Sequence, residues 1–362
     1  MAKGKKESKL QHTKGEFKIS GIVTGLEKDN AYGTGETKSG APYKKINFGI
    51  KTSKENQIRV GLFAMLQEDI YLWNNDKKSS VKKKYRDWAK NGKAWEESGN
   101  TLIGISLKIG DDEETVRLTQ YDAVDYINNN LSNGDSVTVV GDISYSTSVG
   151  QDGKTNTYIN YNINGIYNST KAIDFESEDF KEVNNFKQEF MFVGAEKDED
   201  TNKLYVTGRI INYNETYVDT QFVINADKSK ALEKLAKAYE NSMSFGTTIY
   251  AHGDIHNRAI TSEVESDSDF EDDDDDFLSA MMGEEDAMET VVTYINELEI
   301  KGTAKSTKKI TNIVKDRYTA EDFTDENDSH FVEDSEDDDF AGEDDDFDDM
   351  EEFDSDELPF EL

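Results

Sequence analysis

Val140-Gly-Asp-Ile143 and His252-Gly-Asp-Ile255 are two short stretches in which the chain repeats itself. Each lies in a strand-like run, at 136–144 and 247–255, and a helical pattern precedes each run. Ahead of the first, Tyr121, Val124, Ile127 and Leu131 recur at helical spacing, and Asn133-Gly134 stops the pattern. Ahead of the second, Leu232, Leu235, Ala236 and Tyr239 share one face of a helix over 228–242, with lysines and glutamates opposite. Further out, three strand-like runs come before each helix: 17–26, 43–52 and 57–65 in one half, 190–195, 204–211 and 217–224 in the other. A closing strand follows each repeat, at 157–167 after the turn Gly150-Gln-Asp-Gly153, and at 291–300. The sequence therefore predicts a mainly β chain made by duplicating one five-stranded unit.

A five-stranded unit with one helix before strand four has the element order of the OB fold. The expected architecture is two OB-fold-like barrels plus disordered acidic segments. Residues 1–15 read as a flexible basic arm and 16–170 as the first domain, with a basic, aromatic insertion at 67–100. Residues 186–302 read as the second domain, with an acidic disordered insertion at 262–290; 303–362 read as a linker and a disordered acidic tail. The glycine-rich stretch 32–40 reads as a loop.

Charge supports this division. The formal net charge is −36, which on its face opposes binding to a polyanion. Yet 262–290 hold 14 Asp and Glu and 321–362 hold 23, with no Lys or Arg in either. The other 291 residues carry 40 acidic and 41 basic side chains, so the body is balanced and the acidity sits in two self-repelling runs. No cysteine occurs, which excludes disulfides and thiolate metal sites and suits a reducing cytoplasm. No stretch is apolar enough for a membrane span, and the start leads into no signal-peptide core.

Residues 77–95 hold eight Lys or Arg against one Asp, and all three tryptophans lie in or beside them. Unpaired bases stack on aromatic rings, and cations beside the rings release counterions from phosphates. The expected single-stranded DNA contacts here are Tyr71, Trp73, Tyr85, Trp88 and Trp95 for stacking. Lys77, Lys78, Lys82, Lys83, Lys84, Arg86, Lys90 and Lys93 are expected to meet phosphate. The competing reading is an amphipathic excursion whose tryptophans pack while its lysines are solvated. A second candidate surface is the face of strands two and three, with Lys38, Tyr43, Lys44, Lys45, Phe48, Lys51 and Arg59. Phe17, Tyr145, Tyr158 and Tyr161 lie on neighbouring strands, where any single aromatic is more often core.

Signals for catalysis are poor, and no enzyme activity, cofactor or metal is expected. His252 and His256 share a strand face without a third ligand. The stretch Gly33–Gly40 lacks the Gly-Lys-Ser/Thr order of a phosphate loop. Aspartates 272–276 lack calcium-loop spacing. The inner acidic run has its own apolar core at Phe277, Leu278, Met281 and Met282. It reads as a partner-docking peptide, an electrostatic guard, or a loop with no partner.

The chain ends Asp354-Ser-Asp-Glu-Leu-Pro-Phe-Glu-Leu362, after phenylalanines spaced among acids at 323, 331, 340, 347 and 353. This tip resembles the acidic tip of bacterial single-stranded DNA-binding proteins, at Asp354, Asp356, Leu358, Pro359 and Phe360. Glu361-Leu362 follow where the family's tails stop on phenylalanine. Two OB-like units in one chain resemble a bacteriophage replication protein of that class. The resemblance implies sequence-tolerant single-stranded DNA binding in replication, recombination or repair, with the tail recruiting partner proteins. Two rivals stand beside it: an acidic chaperone or DNA mimic that binds basic proteins, and a structural virion or scaffold protein.

Overall fold

The computed structural model describes residues 10–112, 114–149, 155–264, 289–305 and 311–323. The expectations for the tail tip and for most of the inner acidic run fall outside the described residues.

The first half contains β1 (Gly15–Thr24), β2 (Tyr32–Glu36), β3 (Pro42–Lys51) and β4 (Gln57–Met65). An excursion follows: β5 (Asp69–Asn74), β6 (Ser79–Lys84), α1 (Tyr85–Glu97), β7 (Asn100–Leu102), β8 (Ile105–Lys108) and β9 (Val116–Leu118). Then come α2 (Gln120–Asn130), β10 (Ser136–Val149) and β11 (Thr155–Asn168). The second half contains β12 (Val183–Asp198), β13 (Lys203–Ile211), β14 (Tyr217–Asn225), α3 (Lys230–Ser242), β15 (Thr248–Val264), β16 (Glu289–Thr303) and β17 (Ile313–Val314). The protein is mainly β, as its alternation requires. The stretch expected to be a glycine-rich loop is strand β2 over its first five residues, because Gly33 and Gly35 pair with Lys45 and Tyr43 of β3.

Two freestanding closed barrels are not what forms. Among the described residues fourteen strands share one continuous hydrogen-bonded sheet whose path runs from β17 to β2, with β8 and β9 branching from β11, while β5, β6 and β7 make a separate three-stranded sheet. The halves fuse because β1 pairs antiparallel with β10 on one side and with β12 on the other. Side-chain alternation says which face a strand buries and nothing about its edge partner, so this pairing is invisible in the sequence.

Each half nevertheless follows one pairing order. In the first, β1 meets β3, β3 meets β4, β4 meets β11 in parallel, β11 meets β10, and β10 returns to β1. In the second, β12 meets β13, β13 meets β14, β14 meets β16 in parallel, β16 meets β15, and β15 returns to β12. The repeated tetrapeptides mark the same feature in both. The ladder slips between Val140 and Gly141, and again between His252 and Gly253. A Cβ on Gly141 would stand 1.8 Å from the Asn162 carbonyl oxygen and 2.8 Å from the Phe17 ring. A Cβ on Gly253 would stand 1.8 Å from the Glu299 carbonyl oxygen and 2.8 Å from the Phe186 ring. Each glycine thus lets a bulged strand pass directly over a core phenylalanine.

Helices α2 and α3 each start on a hydroxyl cap, whereas α1 starts at Lys84 without one. Thr119 accepts from the Asp122 amide and Ser229 from the Leu232 amide. Their apolar faces, Ala123, Val124 and Ile127 in α2 and Leu232, Ala236 and Tyr239 in α3, join one core cluster that spans both halves. Asn56, in the turn between β3 and β4, bolts the halves together: its Nδ2 donates to the Ile255 carbonyl and the Asn257 amide donates to its Oδ1.

Beside that bolt, buried Glu299 accepts from His256 Nε2 at 2.7 Å and from Lys228 Nζ at 2.5 Å. Arg258 lies within hydrogen-bonding distance of His256 Nδ1, at 2.7 Å, and extends the network. Burial pushes the Glu299 carboxyl up, but the bonds from His256 and Lys228 outweigh it and bring it down to about 2.

Two tests follow from these contacts. Gly141→Ala and Gly253→Ala should each cost about 1–3 kcal/mol in denaturant unfolding, through forced backbone displacement. Gly194→Ala, where nothing lies within 4 Å of the added carbon, should stay within about 0.5 kcal/mol. Because Glu299 titrates lower folded than unfolded, its stabilisation is full above the ordinary carboxylate range and fades as pH falls toward 2. Thermal melts of Glu299→Gln should show a shallower loss of stability than the parent between about pH 5 and 2.

Candidate nucleic-acid interface

Alternation along β3 turns Ile46, Phe48 and Ile50 into the core, all at most 2% exposed, and leaves Tyr43, Lys45, Asn47 and Lys51 outward. On β4 it buries Ile58, Val60, Leu62 and Ala64 and turns out Gln57, Arg59, Gly61 and Phe63. The antiparallel register sets Lys45 opposite Phe63 and Gly49 opposite Arg59. Tyr43 stacks on Phe63 with ring centres 5.3 Å apart, and Phe63 is 48% exposed. Gly33, Gly35, Gly49 and Gly61 share this face and add no side chain to it.

The strip continues across the parallel contact of Gly61 with Asn162 onto β11. There Tyr158 is 49% exposed, in alternation with Asn160 and Asn162. Asn160 donates to Ser146 Oγ, Asn162 to Ser144 Oγ and Asn164 to Asp142. Stacking rings, cations and amide groups therefore lie on one continuous outer surface.

Several expected residues sit elsewhere. Phe48 is core and cannot meet a base; Phe17, Tyr145 and Tyr161 are core too. Lys44 turns to α2, where it reaches Asp125 at 2.6 Å and lies 3.9 Å above the Tyr121 ring. Lys38 is exposed at the tip of the β2–β3 turn. Phe63 was missed, although its parity opposite Leu62 and Ala64 is legible in the sequence.

The insertion is a module with two faces. Ile70, Leu72 and Leu102 form a small core, and Tyr85, Trp88 and Trp95 of α1 pack half-buried against it. Trp88 and Trp95 lie 6.2 Å apart, with Lys83 Nζ 5.3 Å from the Trp95 ring. The opposite sheet face carries Tyr71 beside Lys82, Trp73 beside Ser80, and Asp69 beside Lys84. Asp69 binds Lys84 at 2.8 Å and Lys82 at 3.3 Å. Lys77 and Lys78 are exposed in the β5–β6 turn, and Arg86, Lys90 and Lys93 along α1. The five aromatics are thus split between two surfaces rather than gathered on one. Tyr85 hydroxyl donates to Asp122 at 2.6 Å and ties the module to α2; burial, then that bond, push its ionisation up. The tail residues Asp354, Asp356, Leu358, Pro359 and Phe360 lie outside the described residues. Among the described residues no helix is long and apolar enough to cross a membrane.

Fold and face together define a mainly β protein with a duplicated strand order and an exposed aromatic–cationic strip on one half. Residues 14–338 match the YorF family, and the chain belongs to that family. No curated protein matches it in sequence. Among solved structures it is similar to the wild-type single-stranded DNA binding protein from Thermus aquaticus, at 9% identity and a TM-score of 0.34 over 83% of this chain and 98% of that one. A deletion mutant of that protein gives the same identity and score, over 83% of this chain and 99% of that one.

Tyr85→Phe removes a hydrogen bond to a charged acceptor, a loss of about 1.5–3 kcal/mol. The expected outcome is faster amide exchange in β5–β7, with exchange in β10 and β15 unchanged.

Proposed function

We propose that this protein binds single-stranded DNA with little regard to sequence, through the outer face of β3, β4 and β11. The stacked pair of half-buried Tyr43 and exposed Phe63, beside Lys45, Lys51 and Arg59, carries this reading. Rings give each unpaired base a flat partner, and the cations beside them meet the backbone, as binding without base readout requires. The repeated pairing order supports reading each half as an OB-like unit, whose strand two–three face holds oligonucleotides. The insertion extends the contact through Tyr71, Trp73 and the lysines of β6 and α1.

On this reading the protein coats DNA in the host cytoplasm during phage replication, recombination or repair, and performs no catalysis. Leu358, Pro359 and Phe360, behind Asp354 and Asp356, recruit replication partners by docking an apolar tip that acidic residues steer.

Fluorescence anisotropy with oligo-dT and with duplex of equal length tests the proposal. Oligo-dT should bind more tightly and with a negative salt slope. Tyr43→Ala with Phe63→Ala should weaken it by roughly tenfold or more, from stacking of about 1–3 kcal/mol per base. Equal affinity for both ligands, or an unchanged double variant, overturns it.

A further inference from the structure

The hairpins β3–β4 and β13–β14 correspond residue for residue. The first closes on Lys51 opposite Gln57 and the second on Ile211 opposite Tyr217, a constant offset of 160 positions. The outer face of the second hairpin therefore matches the outer face of the first, with Lys203 and Val223 at the places of Tyr43 and Phe63 and, nearer the turn, Arg209 and Tyr217 at those of Gly49 and Gln57. It carries Arg209 and Tyr217. Arg209 is fixed by two bonds to Asp219, Nε to Oδ1 at 2.7 Å and a terminal nitrogen to Oδ2 at 2.9 Å. Its guanidinium carbon lies 4.4 Å from the Tyr217 ring centre.

A ring already occupies this place. Phe323 lies 4.8 Å from the Arg209 guanidinium carbon and meets Tyr217 edge-on at 5.2 Å and Tyr318 at 5.7 Å. The segment that delivers it is anchored in stages. β17 pairs with β15, and the Arg317 and Tyr318 amides donate to the Gly246 carbonyl at 3.0 and 3.2 Å. Tyr318 is 3% exposed in a cluster with Met191 and Ile211. Beyond it, one short turn capped by Asp322 on the Thr319 amide sets Phe323 in position.

We propose that Arg209 and Tyr217 form a second nucleobase site, and that Phe323 is its resident occupant, exchanged for an unpaired base when DNA engages the second half. A fixed guanidinium beside a tyrosine ring is chemistry that accepts a flat aromatic ring. The resident imitates the ligand: Glu321 and Asp322 precede the ring and Asp325, Glu326 and Asp328 follow it in sequence, as phosphates flank a base. Exchange lowers the apparent affinity of this site by the fraction of molecules in which Phe323 has left it. The inference rests on the reading of the chain as a single-stranded DNA binder, so its test reports on both halves at once.

The full chain is irradiated with an oligo-dT of about 40 nucleotides carrying 5-iododeoxyuridine, long enough for two units at about 4–16 nucleotides each. Cross-linked tyrosines and phenylalanines are then mapped by mass spectrometry. Cross-links at Tyr217 should rise roughly tenfold in Phe323→Ala, while those at Tyr43 and Phe63 hold steady. Phe323→Leu keeps apolar packing without a flat ring and should show a smaller rise; it gives the same readout if the alanine variant fails to fold. Tyr217 cross-linking that does not rise in a folded variant, with Tyr43 and Phe63 still reacting, overturns the second site and leaves the first. No cross-link at Tyr43, Phe63 or Tyr217 overturns the first reading, and this one with it.

Discussion

The structure depends on β1 having partners on both edges. Residues 15–20 pair with 183–188 of β12, while the same strand pairs with β10 and, at its far end, with β3. A strand so placed offers no free edge, and its backbone groups are satisfied by two halves at once. The register sets Phe17 directly opposite Phe186. Each of these rings lies against the glycine of one repeated tetrapeptide, so the bulge in one half and the bulge in the other meet at the seam. The duplicated unit is therefore joined through its most constrained point. With Asn56 tying the β3–β4 turn to β15, that seam fixes where both outer faces stand.

How much of this was legible follows from what each pattern encodes. Helices α2 and α3 could be read because their apolar faces recur at the helical period. The strands could be read because each has one buried face, and the repeated Gly-Asp located the fourth strand of each unit. Parity would also have separated Phe48 from Phe63: one lies in step with Ile46 and Ile50, the other out of step with Leu62 and Ala64. Edge partners left no trace, so β1–β12 could not be foreseen. Nor could the closing segment, where Phe323 is one phenylalanine in an acidic series and only its contacts with Arg209 and Tyr217 distinguish it.

The insertion shows why composition misleads about surface. Its lysine excess is real, but Lys82 and Lys84 are engaged by Asp69. Its tryptophans do two jobs that no count separates. Trp88 and Trp95 close a core of three aliphatic residues too small to hold a helix alone, while Trp73 lies on the far face of the same sheet. A module this small needs large rings for its own burial, so only part of its aromatic surface remains for a ligand.

Net charge decides less than its placement. At physiological salt the Debye length is about 8 Å, so a cation on the sheet responds to its immediate neighbours rather than to distant acidic runs. The offset of 160 positions makes the comparison direct. In the first half Arg59 is exposed opposite Gly49; at the matching places in the second, Asp219 stands opposite Arg209 and neutralises it. The same hairpin thus presents a net positive patch in one half and a balanced, ring-covered one in the other. A duplicated scaffold has in this way acquired two faces that answer differently to a polyanion, and the difference is set by a few side chains within one Debye length rather than by the charge of the whole chain.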